Sequence, residues 1–198
     1  MNCKGSGTNV DATECCFKKC RYSGLDVANG VTVTATQCDF MENGDYGVAC
    51  RSANTKVRLN DSTMHHNGEY GLGVNDSATA SATRCDFMEN GDFGVECGAN
   101  TKVRLNDSTM HHNGWAGLYA SDHAVVDLHG TKTDIHFNKW NGICADQNAK
   151  VNIHLPSQHN TTHDNVDNNR DQDEGGSIAN INADGTFTHV VVDDDDYY

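Results

Sequence analysis

The string ANTKVRLNDSTMHHNG occupies residues 53–68 and recurs letter for letter at residues 99–114. Ahead of each copy stands a second near-repeat, CDFMENGDYGVAC at residues 38–50 and CDFMENGDFGVEC at residues 85–97. The full period is 46 or 47 residues, and each period divides again at an Asn-Gly-x-x-Gly marker whose Asn falls at 43, 67, 90 and 113. The marker's second glycine stands at 47, 71, 94 and 117, with weaker continuations at Gly24 and Gly142, giving spacings of 23, 24, 23, 23 and 25 residues. A self-similar unit this short cannot bury an apolar face alone. It has to stack on its neighbours, so the chain reads as a solenoid.

Alternation within the unit distinguishes strand from helix. Aligned on the second glycine, the units give a column of Val10, Val33, Val57, Ala80 and Val103, and two residues on Ala12, Ala35, Leu59, Ala82 and Leu105. Then come Cys15, Cys38, Ser62, Cys85, Ser108 and Thr133, followed by Phe17, Phe40, Met64, Phe87, Met110 and Ile135. Past the glycine lie Leu25, Val48, Leu72, Val95, Leu118 and Ile143, with Val27, Cys50, Val74, Cys97, Ala120 and Ala145 two further on. Small or apolar columns two apart, with polar residues between, predict three short strands per unit. About six coils stacked at the strand spacing give a rod of about 29 Å. Asn43, Asn67, Asn90, Asn113 and Asn138 are expected to form an inward amide ladder, and the glycine columns to supply turn conformations.

A short polar residue, an aliphatic two on, Asn three further and then Gly-hydrophobic resembles the parallel β-helix repeat of pectin-lyase-like proteins. The likeness covers roughly residues 8–155. It implies an all-β, right-handed parallel β-helix. For function it implies a range: polysaccharide lyases and hydrolases, uronate epimerases, viral fibres and non-catalytic scaffolds. Members often carry Asn where this chain has Cys38, Ser62, Cys85, Ser108 and Thr133, so one inner Asn ladder is missing.

The formal charge of −14 is unevenly placed. Residues 1–156 hold 18 acids and 13 bases, whereas residues 157–198 hold 10 acids against Arg170. Three regions follow: a solenoid over 1–155, a polar loop and C-terminal cap over 156–192, and an acidic tail over 193–198. The two apolar stretches at 177–181 and 185–192 are expected to lie across the last coil. The short segment before Asn9 caps the N-terminal end thinly, so a protein partner or larger assembly is expected there. Nothing is basic enough for nucleic acid, and no apolar run reaches the length of a membrane span. The N-terminus lacks the apolar core of a secretory signal, and inward cysteines act as small hydrophobes, which together place the chain in a reducing, intracellular setting.

Most groups with chemical potential have a structural explanation beside the functional one. His65, His111 and His136 share an outward column with Met41 and Met88, and Asp39, Asp86 and Asp134 lie two residues earlier, alternating with Thr63 and Thr109. Adjacent coils bring His111 and His136 near enough to share a metal, but a flat ladder seldom converges tetrahedrally, and no metal site or cofactor is expected. Gln37, Asp61, Arg84, Asp107 and Lys132 form a column whose signs alternate, as a structural ladder does. The aromatic residues Tyr22, Tyr46, Tyr70, Phe93, Trp115 and Trp140 gather at the turn beside the Asn ladder, as cover for the turn or as a platform for sugar rings. Residues 167–178 begin like a calcium loop but carry Gln172 where Gly is needed and Ile178 where Glu is needed.

Almost every group of interest appears twice, 46 or 47 residues apart, whereas an active site is a single supported constellation. The expected function is therefore a non-catalytic solenoid, a scaffold or repetitive binding surface. The candidate face is Asp39, His65, Arg84, Asp86, His111, Asp134 and His136. The competing expectation is a polysaccharide-binding or polyuronate lyase- or epimerase-like protein using Arg84, Asp86 and His111.

Overall fold

Alternating small apolar and polar residues, broken every few positions by turn formers, become three short strands per winding of the chain. The computed structural model describes residues 1–154 and 162–189. Among them no helix occurs, and the strands fall into three sheets of eight, nine and seven strands. Sheet A runs from Asn2–Lys4 through Leu25–Ala28, Val48–Arg51, Leu72–Asn75, Val95–Cys97, Leu118–Ala120 and Ile143–Ala145 to Arg170–Gln172. Sheet B runs from Asn9–Thr13 through Thr32–Thr36, Lys56–Asn60, Thr79–Thr83, Lys102–Asn106, Val125–His129 and Lys150–His154 to Ser177–Ile181. Sheet C comprises Cys16–Lys18, Asp39–Met41, Thr63–His65, Asp86–Met88, Thr109–His111, Asp134–His136 and Thr162–His163. Each strand pairs in parallel with the strand one winding away, and Phe187–His189 alone runs antiparallel, against Ser177–Ile181.

The columns read from the sequence are the observed registers. Val33 pairs with Val57 and Ala35 with Leu59 in sheet B, Phe40 with Met64 in sheet C, and Val48 with Leu72 in sheet A. Their side chains fill a single core: Phe40, Met64, Phe87, Met110, Leu72 and Leu118 are fully buried. Like stacks on like because neighbouring windings present the same volume at the same place. Phe17 and Phe40 lie face to face, with ring centroids 4.8 Å apart.

The Asn ladder is as expected, and longer. Each amide Nδ2 donates to the next Oδ1 at 2.8–3.1 Å from Asn43 through Asn67, Asn90, Asn113 and Asn138 to Asn165. The same nitrogens donate back to the carbonyls of Phe17, Phe40, Met64, Phe87 and Met110. Each interior amide is thus satisfied on both sides, which is why buried Asn is tolerated there.

The marker glycines have a different role from the one expected. Gly44, Gly68, Gly91 and Gly114 are not in the left-handed region. A Cβ on Gly68 would strike the carbonyl of Gly44, one on Gly91 that of Gly68, and one on Gly114 that of Gly91. Close backbone stacking, not turn conformation, excludes side chains there. The left-handed corners are held by other residues, including Gln37, Asp61, Arg84 and Asp107 (φ 53, 49, 52 and 48°) and Glu42, His66, Glu89, His112 and Phe137.

Three further expectations are corrected. Sheet A is eight strands deep, not six. Winding continues past residue 155, since Thr162–His163, Arg170–Gln172 and Ser177–Ile181 each extend a sheet. Asn169 takes the place of the marker's second glycine there: its carbonyl accepts from Ile143 N, as that of Gly71 accepts from Val48 N. Residues 177–181 are consequently part of the stack, and only Phe187–His189 folds back over its edge. Cys15 is exposed, unlike its column mates Cys38 and Cys85, because it lies in the first winding, which no described strand covers on its outer side. The acidic tail, 193–198, lies outside the described residues.

Candidate functional site

Two outer faces carry the side chains with chemical potential. On sheet C, Asp39 and His65 meet at 3.0 Å, and Asp86 and His111 at 3.1 Å, each across adjacent windings. Thr63 and Thr109 hydroxyls donate to the same carboxylate oxygens at 2.8 and 2.5 Å. The next residue completes each unit: His65 Nδ1 lies 2.8 Å from His66 Nδ1, and His111 Nδ1 2.7 Å from His112 Nδ1. Burial alone raises the Asp86 carboxyl, but its bonds from His111 and Thr109 outweigh this and leave it below the ordinary value. The Asp86 bond holds the His111 imidazole above its ordinary value. These are self-satisfied units, repeated with the same geometry.

The last member of the row differs. Asp134, His136 and His163 gather on two neighbouring strands, and the rings of His111, His136 and His163 stack at 5.1 and 5.2 Å. Desolvation pushes His136 below its ordinary value, and the bond to Asp164 raises His163. Sequence reading missed His163 because it lies beyond the last recognisable marker. Arg84 does not join the face: its guanidinium grips Asp61 through two bonds of 2.6 and 2.7 Å at the sheet B–C corner. The alternating charged column is a ladder at that step. The structure therefore brings together Asp39 with His65, Asp86 with His111 and Asp134 with His136, and leaves Arg84 outside.

Sheet A carries the second face. Tyr46 stacks on Tyr70 at 4.9 Å, Tyr70 leans on Phe93 at 5.2 Å, and Phe93 meets both Tyr119 (4.9 Å, stacked) and Trp115 (5.9 Å, edge-on). Trp115 meets Trp140 at 4.8 Å, so the rings form one strip along the stack. At its C-terminal end the strip walls a groove of about 370 Å³ that is also lined by Asp146, Asp171 and Asp173, with Tyr119 Oη donating to Asp146 Oδ2 at 3.3 Å. Trp115 and Trp140 remain 51% and 37% exposed there, so much ring area faces solvent.

Glu96 stands within this strip. It pairs in register with Gly73 and Tyr119, and its Oε2 accepts from Asn75 Nδ2 at 2.8 Å. Gly73 offers no side chain, so the Glu96 carboxyl settles beside it, and the residue as a whole is 9% exposed. Burial, and to a lesser degree Asp122, push its pKa up to about 7 against the bond from Asn75. Tyr70 is raised by burial and then by Glu96. The signal was in the sequence: within the repeated 13-residue string the copies differ only at Tyr46/Phe93 and Ala49/Glu96.

Three parallel sheets wound once per two dozen residues around an Asn-laddered core define a parallel β-solenoid. Residues 53–194 match the family model described as right handed beta helix region, and the chain belongs to that family. No curated protein and no solved structure matches it.

Proposed function

We propose that the chain is a non-catalytic binding solenoid whose sheet A strip takes a neutral glycan. The observation that carries this reading is the continuous row of rings ending in exposed Trp115 and Trp140 over an acid-lined groove. Aromatic faces stack on the apolar faces of sugar rings, and Asp146, Asp171 and Asp173 offer acceptors for hydroxyls without demanding a charge on the ligand. Three carboxylates beside the rings oppose a polyuronate, as does the net charge of −14. The repeated Asp-Thr-His units of sheet C are satisfied within themselves, which favours a structural role for that face. The six buried thiols fit a reducing compartment.

The competing polysaccharide-active reading has one specific support, the unduplicated Glu96, whose pKa of about 7 suits proton transfer. A binding titration and a turnover assay together separate the two. Trp115 and Trp140 are the chain's two tryptophans, so emission excited selectively from tryptophan reports on the groove. Titration with neutral oligosaccharides is expected to change that emission saturably, and Trp115→Ala to lose most of the binding heat in isothermal titration calorimetry, a readout independent of the fluorophore. Turnover of polyuronates that is lost in Glu96→Gln overturns the non-catalytic reading.

A further inference from the structure

We propose that Asp134, His136 and His163 form a site for a divalent transition metal, zinc foremost, that fastens the edge strand Thr162–His163 to sheet C. Asp134 and His136 are two apart on one strand and so project from the same face. His163 is the register partner of His136 on the next strand. One ligand atom from each residue can be chosen so that all three lie within 4.8 Å of one another. A tetrahedral ion bonded at 2.0–2.2 Å sets its ligand atoms about 3.4 Å apart. Two approaches already have that length: Asp134 Oδ1 to His163 Nε2 at 3.1 Å, and Asp134 Oδ2 to His136 Nδ1 at 3.3 Å.

Neither approach supplies what its atoms need. Asp134 Oδ1 and His136 Nδ1 are buried and lack a hydrogen-bond partner among the described residues. At Asp39 and Asp86 the corresponding oxygen accepts from Thr63 and Thr109, whereas the counterpart position beside Asp134, residue 161, lies outside the described residues. Asp134 Oδ1 and His136 Nδ1, unmatched among the described residues, are both atoms that a cation takes, since it satisfies a carboxylate oxygen and imidazole lone pairs together. The outer shell is in place as well. His163 Nδ1 bonds Asp164 Oδ2 at 2.8 Å, the carboxylate–histidine arrangement that fixes a ligand tautomer and aims Nε2 at the metal. Phe137 packs edge-on against His136 at 5.0 Å and walls one side. Three protein ligands leave a fourth position for water or an outside ligand.

The location explains the role. Thr162–His163 is the outermost strand of sheet C and pairs through two register positions. An ion bridging His163 to Asp134 and His136 ties that strand across the pairing. A second cluster, Asp127, His129 and His154, has a similar make-up but a different state: Asp127 Oδ1 already accepts from Asn152 and meets His154 Nε2, both at 3.0 Å. It serves as the internal control.

Protein stripped with EDTA and dialysed against zinc chloride is expected to bind one equivalent at this site. His136→Ala and His163→Ala should each weaken that binding at least about tenfold, and Asp164→Asn by about 10–100-fold, while His154→Ala leaves it unchanged. Cobalt(II) at the site should give the visible bands of a tetrahedral complex, absent in His163→Ala. Circular dichroism of each variant establishes that it is folded. Independently of any variant, zinc should slow hydrogen exchange at residues 162 and 163. Zinc affinity unaltered by His136→Ala and His163→Ala, loss of the zinc with His154→Ala instead, or unaltered exchange at 162 and 163 under saturating zinc each overturns the proposal.

Discussion

Replacing Glu96 by Gln should stabilise the protein, and only above acidic pH. In the unfolded chain the carboxyl loses its proton near its ordinary value of 4.5, whereas burial in the fold defers this to about 7. Below 4.5 both states hold the proton and the group adds nothing. Between 4.5 and 7 the folded state binds more proton than the unfolded state, so stability falls as pH rises; above 7 the loss is complete. At 1.36 kcal/mol per pKa unit the full penalty is about 3 kcal/mol. Glutamine has nearly the same shape, can still accept from Asn75 Nδ2, and carries no charge to desolvate. Urea unfolding followed by far-UV circular dichroism, run for both proteins from pH 4 to pH 8, measures the difference directly, and all other titrating groups cancel in it. The curves should coincide at pH 4 and separate by about 3 kcal/mol at pH 8, equivalent to about 6–12 °C in melting temperature for a chain of this size. A difference independent of pH, or a wild type more stable at pH 8, would refute the claim that Glu96 is buried at a cost.

Other outcomes follow from the stack. Gly91→Ala places a methyl on the carbonyl of Gly68 and should cost about 3 kcal/mol or more, detectable as an early urea midpoint. Asn90→Ala removes the acceptor of Asn67 Nδ2 and the donor to Met64 O and Asn113 in the buried ladder, and should cost about 2–4 kcal/mol by the same assay. Arg84→Ala, by contrast, breaks a solvent-exposed pair with Asp61 and should leave the urea midpoint unchanged within error. Cys85→Ser puts a hydroxyl where the thiol already reaches the Thr83 carbonyl, so it should be tolerated better than Cys97→Ser, whose site is fully enclosed; paired melting curves distinguish them.

How much was legible depends on what repetition can encode. In a solenoid each winding is the template for the next, so a column of Val33, Val57, Ala80 and Val103 in the sequence is already a statement of register, and the pairings follow it residue for residue. The Asn ladder was legible for the same reason. Where repetition fades, so does the reading: Asn169 in place of the marker glycine hid a winding that carries His163 and Asn165, and an asparagine fits there because no described strand of sheet A stacks beyond it.

Where the marker repeats, the sequence by itself therefore determined the strands, their register and the inward or outward sense of the columns, since all of these are consequences of period and alternation. It did not determine which outward groups meet. Whether Asp86 closes on His111 and Thr109 while Asp134 Oδ1 stays unmatched among the described residues depends on side-chain geometry between windings, at a resolution that period cannot express. The burial of Glu96 was likewise decided by the fold alone, because it arises from an absent side chain at Gly73, one winding and 23 residues away.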